Sequence, residues 1–351
     1  MEGRLVVGIL NSPECMVDSH FESSEGTDES LSTLRIEDFK DGLKILSKGE
    51  IDFLAVPAAI LKGNESEIAS NNCSVVGART PRRPNMVLVS PDKIPYQPKS
   101  AIIVSDSELI RRQLRRARPD LNAIAFEEVS NESEDISEYS NIEKFKHLSE
   151  LLEEGAIDGF VASRNQYDDS KLSERRHTLM PFPKERGGAY FLPRPFSDLV
   201  AIIAREGFPN SLESMITEPE GNTILWIQSR LMASLGDEIS EKIGIQVRHR
   251  QVGSLLRQAE LDKDLALREA CSDSEGEISE DEVRVEVKME TLSEDGRRTL
   301  SLERMVAFSD YKHAIISLMK DWDSLIKEAT REVPKDHPSD IHAPPFINHG
   351  R

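Results

Sequence analysis

The chain has 351 residues, of which 38% are hydrophobic and 30% charged, and its formal net charge at pH 7 is −19. This length favours two or three domains over one. The acidic excess argues against a nucleic-acid groove and an anionic membrane surface, because phosphate contacts require clustered Lys and Arg. The chain start lacks the features of a signal peptide, and no apolar run has the length of a membrane span. We therefore expect a cytoplasmic protein.

The three cysteines, Cys15, Cys73 and Cys271, are scattered and odd in number. They lack the spacing of metal ligands, which predicts a reducing compartment and no metal site. Three histidines in residues 332–351 are also irregularly spaced, so we predict no metal site there.

The first part of the chain alternates predicted strands and helices. Residues 4–10 predict an opening strand, residues 34–47 a helix and residues 51–56 a buried strand. Residues 20–32 are polar and acidic without periodicity. The proline-punctuated residues 91–98 are the predicted crossing between two lobes.

One sequence pattern, called the doubled phrase below, occurs twice in the chain. Residues 45–54 are echoed by residues 151–160, and each copy predicts a helix end, a glycine stop at Gly49 or Gly155, and a buried strand. The repeat predicts two similar α/β lobes with a ligand cleft between them, although two ordinary crossover units would give the same pattern. Asp52 and Asp158 could be catalytic carboxylates, but at strand starts a turn or capping role is more common.

The second half predicts further α/β structure and two acidic insertions, residues 127–139 and 271–281. Residues 224–235 predict an amphipathic helix, and the alternating residues 282–291 and 299–306 predict a hairpin followed by a helix. The predicted organisation is lobe 1 in residues 1–95 and 190–210, lobe 2 in 98–188, a small C-terminal α/β domain in 220–330, and a flexible tail in 331–351.

Basic residues cluster at two places in this acidic chain. One is a predicted helix whose basic face could grip carboxylates by bidentate contacts, or could simply be solvated: Arg111, Arg112, Arg115, Arg116 and Arg118. The other is a proline-rich loop containing Arg79, Arg82 and Arg83. If both face the cleft, they suit a small polycarboxylate ligand.

The order of several segments resembles that of hydroxymethylbilane synthase, also called porphobilinogen deaminase. The matching segments are Gly-Glu-Ile-Asp-Phe-Leu-Ala-Val at 49–56, Val-Leu-Val-Ser at 87–90, Leu-Arg-Arg-Ala-Arg-Pro-Asp-Leu at 114–121, Gly-Ala-Ile-Asp at 155–158, and Leu-Pro at 192–193 with Ala-Ile-Ile-Ala-Arg at 201–205. Residues 231–247 look like the start of that family's third domain. The resemblance implies two lobes of the periplasmic-binding type plus a small C-terminal α/β domain. It also implies a transferase of tetrapyrrole (porphyrin) biosynthesis, which condenses porphobilinogen head to tail with loss of ammonia on a cysteine-bound dipyrromethane cofactor.

The sequence departs from this family at its catalytic positions. Ile60 stands where the resemblance places the catalytic aspartate, and Ile239 stands where it places the cofactor cysteine. We therefore predict no catalytic residue among the matched positions and no bound dipyrromethane. The binding positions that the resemblance retains are Ser12, Ser107 and, if two residues are deleted in the motif, Arg111 and Arg112. Without the deletion, that arginine pair falls on Leu109 and Ile110.

Three functions stay open from the sequence. The first is a divergent porphobilinogen deaminase-like protein, an active transferase or a pseudoenzyme. The second is a non-catalytic two-lobed binding protein for a small polycarboxylate, and the third is a regulatory or scaffold paralogue. We expect a monomer that contacts neither nucleic acid nor membrane.

Overall fold

Three β-sheets with helices packed against them make up the structure, a computed structural model that describes residues 4–21, 31–129, 140–183, 187–235, 237–272 and 275–330. The predicted tail, residues 331–351, and most of the first acidic insertion lie outside the described residues. None of the described helices combines the length and the apolar character that crossing a membrane would require.

The first lobe contains a five-stranded mixed sheet in the order β2-β1-β3-β10-β4. Its first three strands are parallel, whereas β10 runs antiparallel to both of its neighbours. The strands are β1 (Leu5–Ile9), β2 (Leu31–Arg35), β3 (Phe53–Pro57), β4 (Cys73–Arg79) and β10 (Val200–Arg205). The helices of this lobe are α1 (Phe39–Lys48), α2 (Glu65–Ser70) and α6 (Asn210–Ile216).

The second lobe repeats this plan, with a five-stranded sheet in the order β7-β6-β8-β5-β9. Again three parallel strands are followed by a strand antiparallel to its neighbours, here β5. The strands are β5 (Met86–Val89), β6 (Ile102–Val104), β7 (Asn122–Ile124), β8 (Gly159–Ser163) and β9 (Arg176–Thr178). The helices are α3 (Glu108–Ala117), α4 (Asn141–Glu153) and α5 (Arg164–Asp169).

The boundary between the lobes differs from the predicted one. Strand β5 pairs with β8 in the second sheet, so lobe 1 ends near residue 79 and not at residue 95. The chain crosses at residues 80–85, before the proline-rich segment 91–98 that was predicted as the crossing. It returns through residues 193–199 into β10. Each lobe thus takes its fourth strand from the chain segment next to a crossing, which hydrophobicity alone does not reveal.

The doubled phrase has the same structure in both lobes. Gly49 and Gly155 adopt left-handed φ angles of 78° and 73° at the ends of α1 and α4, where a side chain would be strained. One carboxylate oxygen of Asp52 accepts the N–H of Val6 at 2.8 Å, and Asp158 accepts that of Ile102 at the same distance. Both aspartates join the phrase strand to the neighbouring parallel strand, which confirms the predicted structural role.

The C-terminal domain is a three-stranded antiparallel sheet, β11-β12-β13, with helices against it. The predicted hairpin and final helix are present, and Ile315, Leu318 and Trp322 of that helix are fully buried. The elements are α7 (Pro219–Ser234), α8 (Asp237–Ser240), β11 (Ile243–Gln251), α9 (Val252–Asp262), α10 (Leu265–Glu269), β12 (Val283–Leu292), β13 (Thr299–Ala307) and α11 (Tyr311–Thr330). The predicted fold class is confirmed in its architecture: two α/β lobes and a small C-terminal α/β domain.

Helix α3 of lobe 2 docks on this domain through a fully buried carboxylate. Glu290 of β12 accepts a hydrogen bond from the Gln113 amide at 2.8 Å and pairs with the Arg116 guanidinium. Arg116 also donates to the Tyr190 carbonyl at 2.6 Å and covers the Tyr190 ring. Burial and the Glu290 charge raise the pKa of Tyr190 to about 12, so its phenol stays neutral.

We predict that Arg116→Ala destabilises the protein by about 3–5 kcal/mol, because it leaves the buried Glu290 carboxylate with neutral hydrogen-bond partners and no opposite charge. Chemical denaturation monitored by circular dichroism measures this change. The control is Arg297→Ala, which removes an exposed ion pair with Asp295 and should cost at most about 1 kcal/mol. Equal losses of stability in the two variants would contradict a stabilising buried ion pair between Arg116 and Glu290.

The half-buried His249 predicts a pH dependence of stability. Burial lowers the pKa of its imidazole below the ordinary 6.5, partly opposed by Glu220. Its ring lies edge-on to Phe308 at 5.1 Å. The unfolded chain binds a proton at this imidazole more tightly than the folded chain does. The contribution of neutral His249 to stability is therefore fully present above pH 6.5 and is lost as the pH falls below that value.

We therefore expect the melting temperature of His249→Gln to fall less between pH 7.5 and pH 5.5, about one unit either side of the unperturbed histidine pKa, than that of the unmodified protein. His313→Gln, at an exposed position of α11, is the control and should retain the full decrease. A decrease of the same size in His249→Gln would show that this imidazole does not titrate on unfolding.

Candidate functional site

Two adjoining cavities lie at the crossings, the first between the two lobes and the second between lobe 2, the crossings and the C-terminal domain. One has a volume of about 270 Å³ and the other about 230 Å³, and five residues line both: Asn85, Met86, Ile110, Arg194 and Ser197. Each volume is slightly below the about 300–1,000 Å³ usual for ligand pockets, and together they fall within it. The cleft predicted from the doubled phrase therefore exists and has room for a small molecule.

The topology explains why these residues meet. Strands β1 and β3 are parallel, so the loops after them lie at the same edge of the first sheet and bring Ser12 and Ile60 to the cavity. Strand β5 is antiparallel to β8, which places Asn85 and Met86 at the carboxyl end of β8 in the second sheet. The return crossing then adds Arg194 and Ser197 between the two edges.

Two neutral hydrogen bonds and one ion pair close the cleft on one side. The Asn85 amide of the outgoing crossing donates to the Glu14 carbonyl at 2.5 Å, and the Ser163 hydroxyl of lobe 2 donates to the Pro13 carbonyl at 2.7 Å. The Glu14 carboxylate pairs with Arg194. These contacts, called the latch below, join the loop after β1 to lobe 2 and to the return crossing.

Arginines dominate the charge around the cavities. Arg82, Arg83 and Arg194 line them, against the single carboxylate of Glu14 among the described lining residues. Arg82 is paired with Glu218 at 2.8 Å. Burial raises the pKa of Glu218, but the Thr80 N–H and the nearby guanidinium groups outweigh burial and hold the pKa below its ordinary value.

The remaining walls are mainly apolar and carry little that could transfer a proton. Apolar contacts come from Ile60, Met86, Ile110 and Phe196, with Phe182 and Phe191 in the second cavity. Burial, followed by the Asp198 charge, raises the pKa of the lining Cys15 thiol far above its ordinary value, so the free thiol is unreactive. This lining favours binding over acid–base or nucleophilic catalysis.

The predicted site residues do not all meet at the cleft. Ser12 lines the first cavity, and its hydroxyl also accepts the Cys15 N–H at 3.1 Å. Ser107 caps α3 by accepting the Ile110 N–H at 3.4 Å. Arg111 donates to the carbonyls of Ser105 and Asp106, at 2.6 and 3.0 Å.

Arg112 points away from the cleft. It donates to the Leu292 carbonyl at 2.5 Å and pairs with Glu108 on its own helix. Neither Arg111, Arg112 nor Ser107 lines the two described cavities, to which α3 presents Ile110 instead. The arginine helix is therefore an inter-domain support, and the cleft cations come from the two crossings.

The substituted family positions are both apolar in the structure. Ile60 lies on the cavity wall, whereas Ile239 packs against the core shared by lobe 1 and the C-terminal domain. The absence of a bound dipyrromethane stays a prediction. Asn85 and Arg194 were missed by sequence reasoning, although each lies beside prolines at a lobe crossing, which is a usable signal.

The comparisons with known proteins identify no family for this chain. No family model matches it, and no curated protein matches it. Solved structures that it resembles include an ABC transporter periplasmic substrate-binding protein of Coxiella burnetii, 14% identical with a TM-score of 0.31, covering 64% of this chain and 95% of that one. Another is lipoprotein Tp32 of Treponema pallidum, 14% identical with a TM-score of 0.31, covering 65% and 91%. A putative methionine-binding lipoprotein of Bacillus subtilis is 13% identical with a TM-score of 0.29, covering 63% and 89%.

The expected place in tetrapyrrole biosynthesis is corrected, because no family model of such an enzyme matches the chain. The chain's own cleft agrees with the correction, because Ile60 can neither donate nor accept a proton where the resemblance needs an aspartate. The architecture of two α/β lobes, by contrast, is retained.

We predict that the double variant Asn85→Ala/Ser163→Ala opens the cleft. Each latch hydrogen bond contributes about 0.5–1.5 kcal/mol, so their loss shifts the balance between closed and open lobes by about 5- to 150-fold. Small-angle X-ray scattering should then show a larger radius of gyration. Ser70→Ala, which removes an exposed hydrogen bond within lobe 1, should leave the radius unchanged. An unchanged radius in the double variant would mean that other contacts hold the lobes.

Proposed function

We propose that this protein is a two-lobed binding protein whose cleft holds a small molecule with an apolar body and at least one carboxylate. The observation that carries this proposal is the pairing of arginines with apolar walls in the two adjoining cavities of a strongly acidic chain. Arg83 and Arg194 stand at the cavities that Met86, Ile110 and Phe191 line. Small-molecule sites commonly combine such walls with a few placed polar groups.

Arg83 is the cleft cation best able to meet a ligand. Its side chain is exposed on the crossing, and within the described part of the chain it forms no ion pair. Arg194 already forms an ion pair with Glu14, and Arg82 forms one with Glu218. A guanidinium binds a carboxylate through two parallel hydrogen bonds, which gives both affinity and orientation.

The cleft supports binding better than turnover. Among its described lining residues, the single carboxylate is already paired with Arg194, the single thiol is buried, and no histidine, lysine or tyrosine is present. General acid–base catalysis needs a titratable group within hydrogen-bond reach of the reacting atom. A ligand in these cavities would instead meet guanidinium, amide and hydroxyl groups.

The test measures binding of benzoate and phthalate, with benzamide as the neutral match, by thermal shift and isothermal titration calorimetry. We expect both carboxylates to raise the melting temperature and benzamide to leave it unchanged. In Arg83→Ala the affinity for the carboxylates should fall about 10- to 100-fold, because a hydrogen bond to a charged group contributes about 1.5–3 kcal/mol.

The matched control is Arg257→Ala, which makes the same charge change on the exposed surface of α9. It should bind both carboxylates as the unmodified protein does. Equal binding of benzoate and benzamide, or full affinity in Arg83→Ala, would overturn the proposed carboxylate site.

A further inference from the structure

A thiol, an imidazole and a carboxylate meet behind the first cavity. Cys15, His20 and Asp198 each offer one ligand atom, and these atoms all lie within 4.8 Å of one another. All three residues are buried, with exposed fractions of 2%, 2% and 8%. Asp198 is 178 residues from His20 in sequence, so no spacing in the chain predicts this group.

Three separate elements of lobe 1 and the crossings supply these side chains. Cys15 closes the turn after β1, where its N–H donates to the Ser12 carbonyl at 3.1 Å. His20 ends a short 3-10 helix, Val17–His20. Asp198 lies in the return crossing with a left-handed φ of 53°, a conformation that aspartate tolerates better than most residues.

The ring nitrogens of His20 lack full hydrogen bonding within the described structure. Its side chain is fully buried, yet its Nδ1 atom has no hydrogen-bond partner among the described residues. Its Nε2 atom is 3.4 Å from Oδ1 of Asp198, longer than the about 2.9–3.0 Å of an ordinary hydrogen bond. Neither ring nitrogen of His20 therefore has an ordinary hydrogen bond, which is rare for a buried imidazole.

The 3.4 Å separation between His20 Nε2 and Asp198 Oδ1 fits two ligands of one metal ion better than a direct hydrogen bond. Zinc binds nitrogen and oxygen at about 2.0–2.2 Å, and in a tetrahedral site this places two such ligands about 3.4 Å apart. The second oxygen of Asp198 accepts the Arg82 N–H at 3.2 Å, which orients the carboxylate. Outer hydrogen bonds of this kind are typical of metal ligands.

We propose that Cys15, His20 and Asp198 bind a Zn²⁺ ion, with the fourth coordination position directed to the cleft. Sulfur and imidazole ligands select zinc over Ca²⁺ and Mg²⁺, which prefer oxygen alone. Three protein ligands and an open position are the arrangement of zinc sites that exchange water or ligand. Cys15 lines the first cavity, so the open position faces that space. The site replaces the expectation of no metal, and it stands independently of the proposed carboxylate binding.

The test loads the full-length chain, stripped of metal with a chelator, with Zn²⁺ or Co²⁺ and removes unbound ion by gel filtration. We expect one zinc per chain by mass spectrometry of the metal. The Co²⁺ form should show the intense visible bands of a tetrahedral site and a thiolate-to-cobalt charge-transfer band. Cys15→Ser, His20→Gln and Asp198→Asn should each weaken zinc binding about 100-fold or more.

Controls separate this site from the other cysteines and from the tail. Cys73→Ser, Cys271→Ser and the triple variant His337→Gln/His342→Gln/His349→Gln should each retain one zinc. Loss of zinc in any of these controls, with retention in Cys15→Ser, would overturn the assignment.

The unmodified protein keeps the proposal testable if a ligand variant does not fold. Circular dichroism identifies such variants, and the Co²⁺ spectrum of the unmodified chain then decides. A thiolate band supports the site, whereas folded protein that binds no metal overturns it. Benzoate binding is measured separately, so failure of the metal site and failure of the proposed function give different results.

Discussion

The buried carboxylate of Glu290 is the constraint on which the arrangement of the domains depends. A charge without solvent contact is tolerated only with full hydrogen bonding and an opposite charge, and both come from helix α3 of lobe 2, through Gln113 and Arg116. The same docking sets Arg112 and Arg115 against the carbonyls of Leu292 and Glu294, at 2.5 and 2.8 Å. The basic face of α3 is therefore used to attach the C-terminal domain, which makes it unavailable to a ligand.

The attachment of α3 to the C-terminal domain determines which side chains can line the cleft. Helix α3 turns Ile110 toward the cavities, and the positive charge must come from the crossings, through Arg82, Arg83 and Arg194. In the proposed carboxylate binding, the guanidinium groups that meet the ligand therefore come from both crossings.

The fold was predictable from the sequence to the extent that local patterns determine it. The doubled phrase predicts two lobes because a helix, a left-handed glycine and a buried strand are specified within ten residues, and Asp52 and Asp158 occupy equivalent hydrogen bonds. The lobe boundary was not predictable, since β5 is an apolar strand whose sheet is decided by distant pairing with β8. The function of the arginine helix was missed for the same reason: its partner Glu290 lies 174 residues away.

The return crossing links the two proposed sites by covalent structure. Phe196 and Asp198 both adopt left-handed φ angles, 62° and 53°, within two successive turns closed by the N–H groups of Ser197 and Leu199. These turns place Arg194 and Ser197 on the cavities and Asp198 beside His20. The Arg82 N–H joins the same carboxylate to the outgoing crossing. Asp198 thus connects the two crossings, and any effect of zinc on carboxylate affinity must by linkage be matched by an equal effect of the carboxylate on zinc affinity.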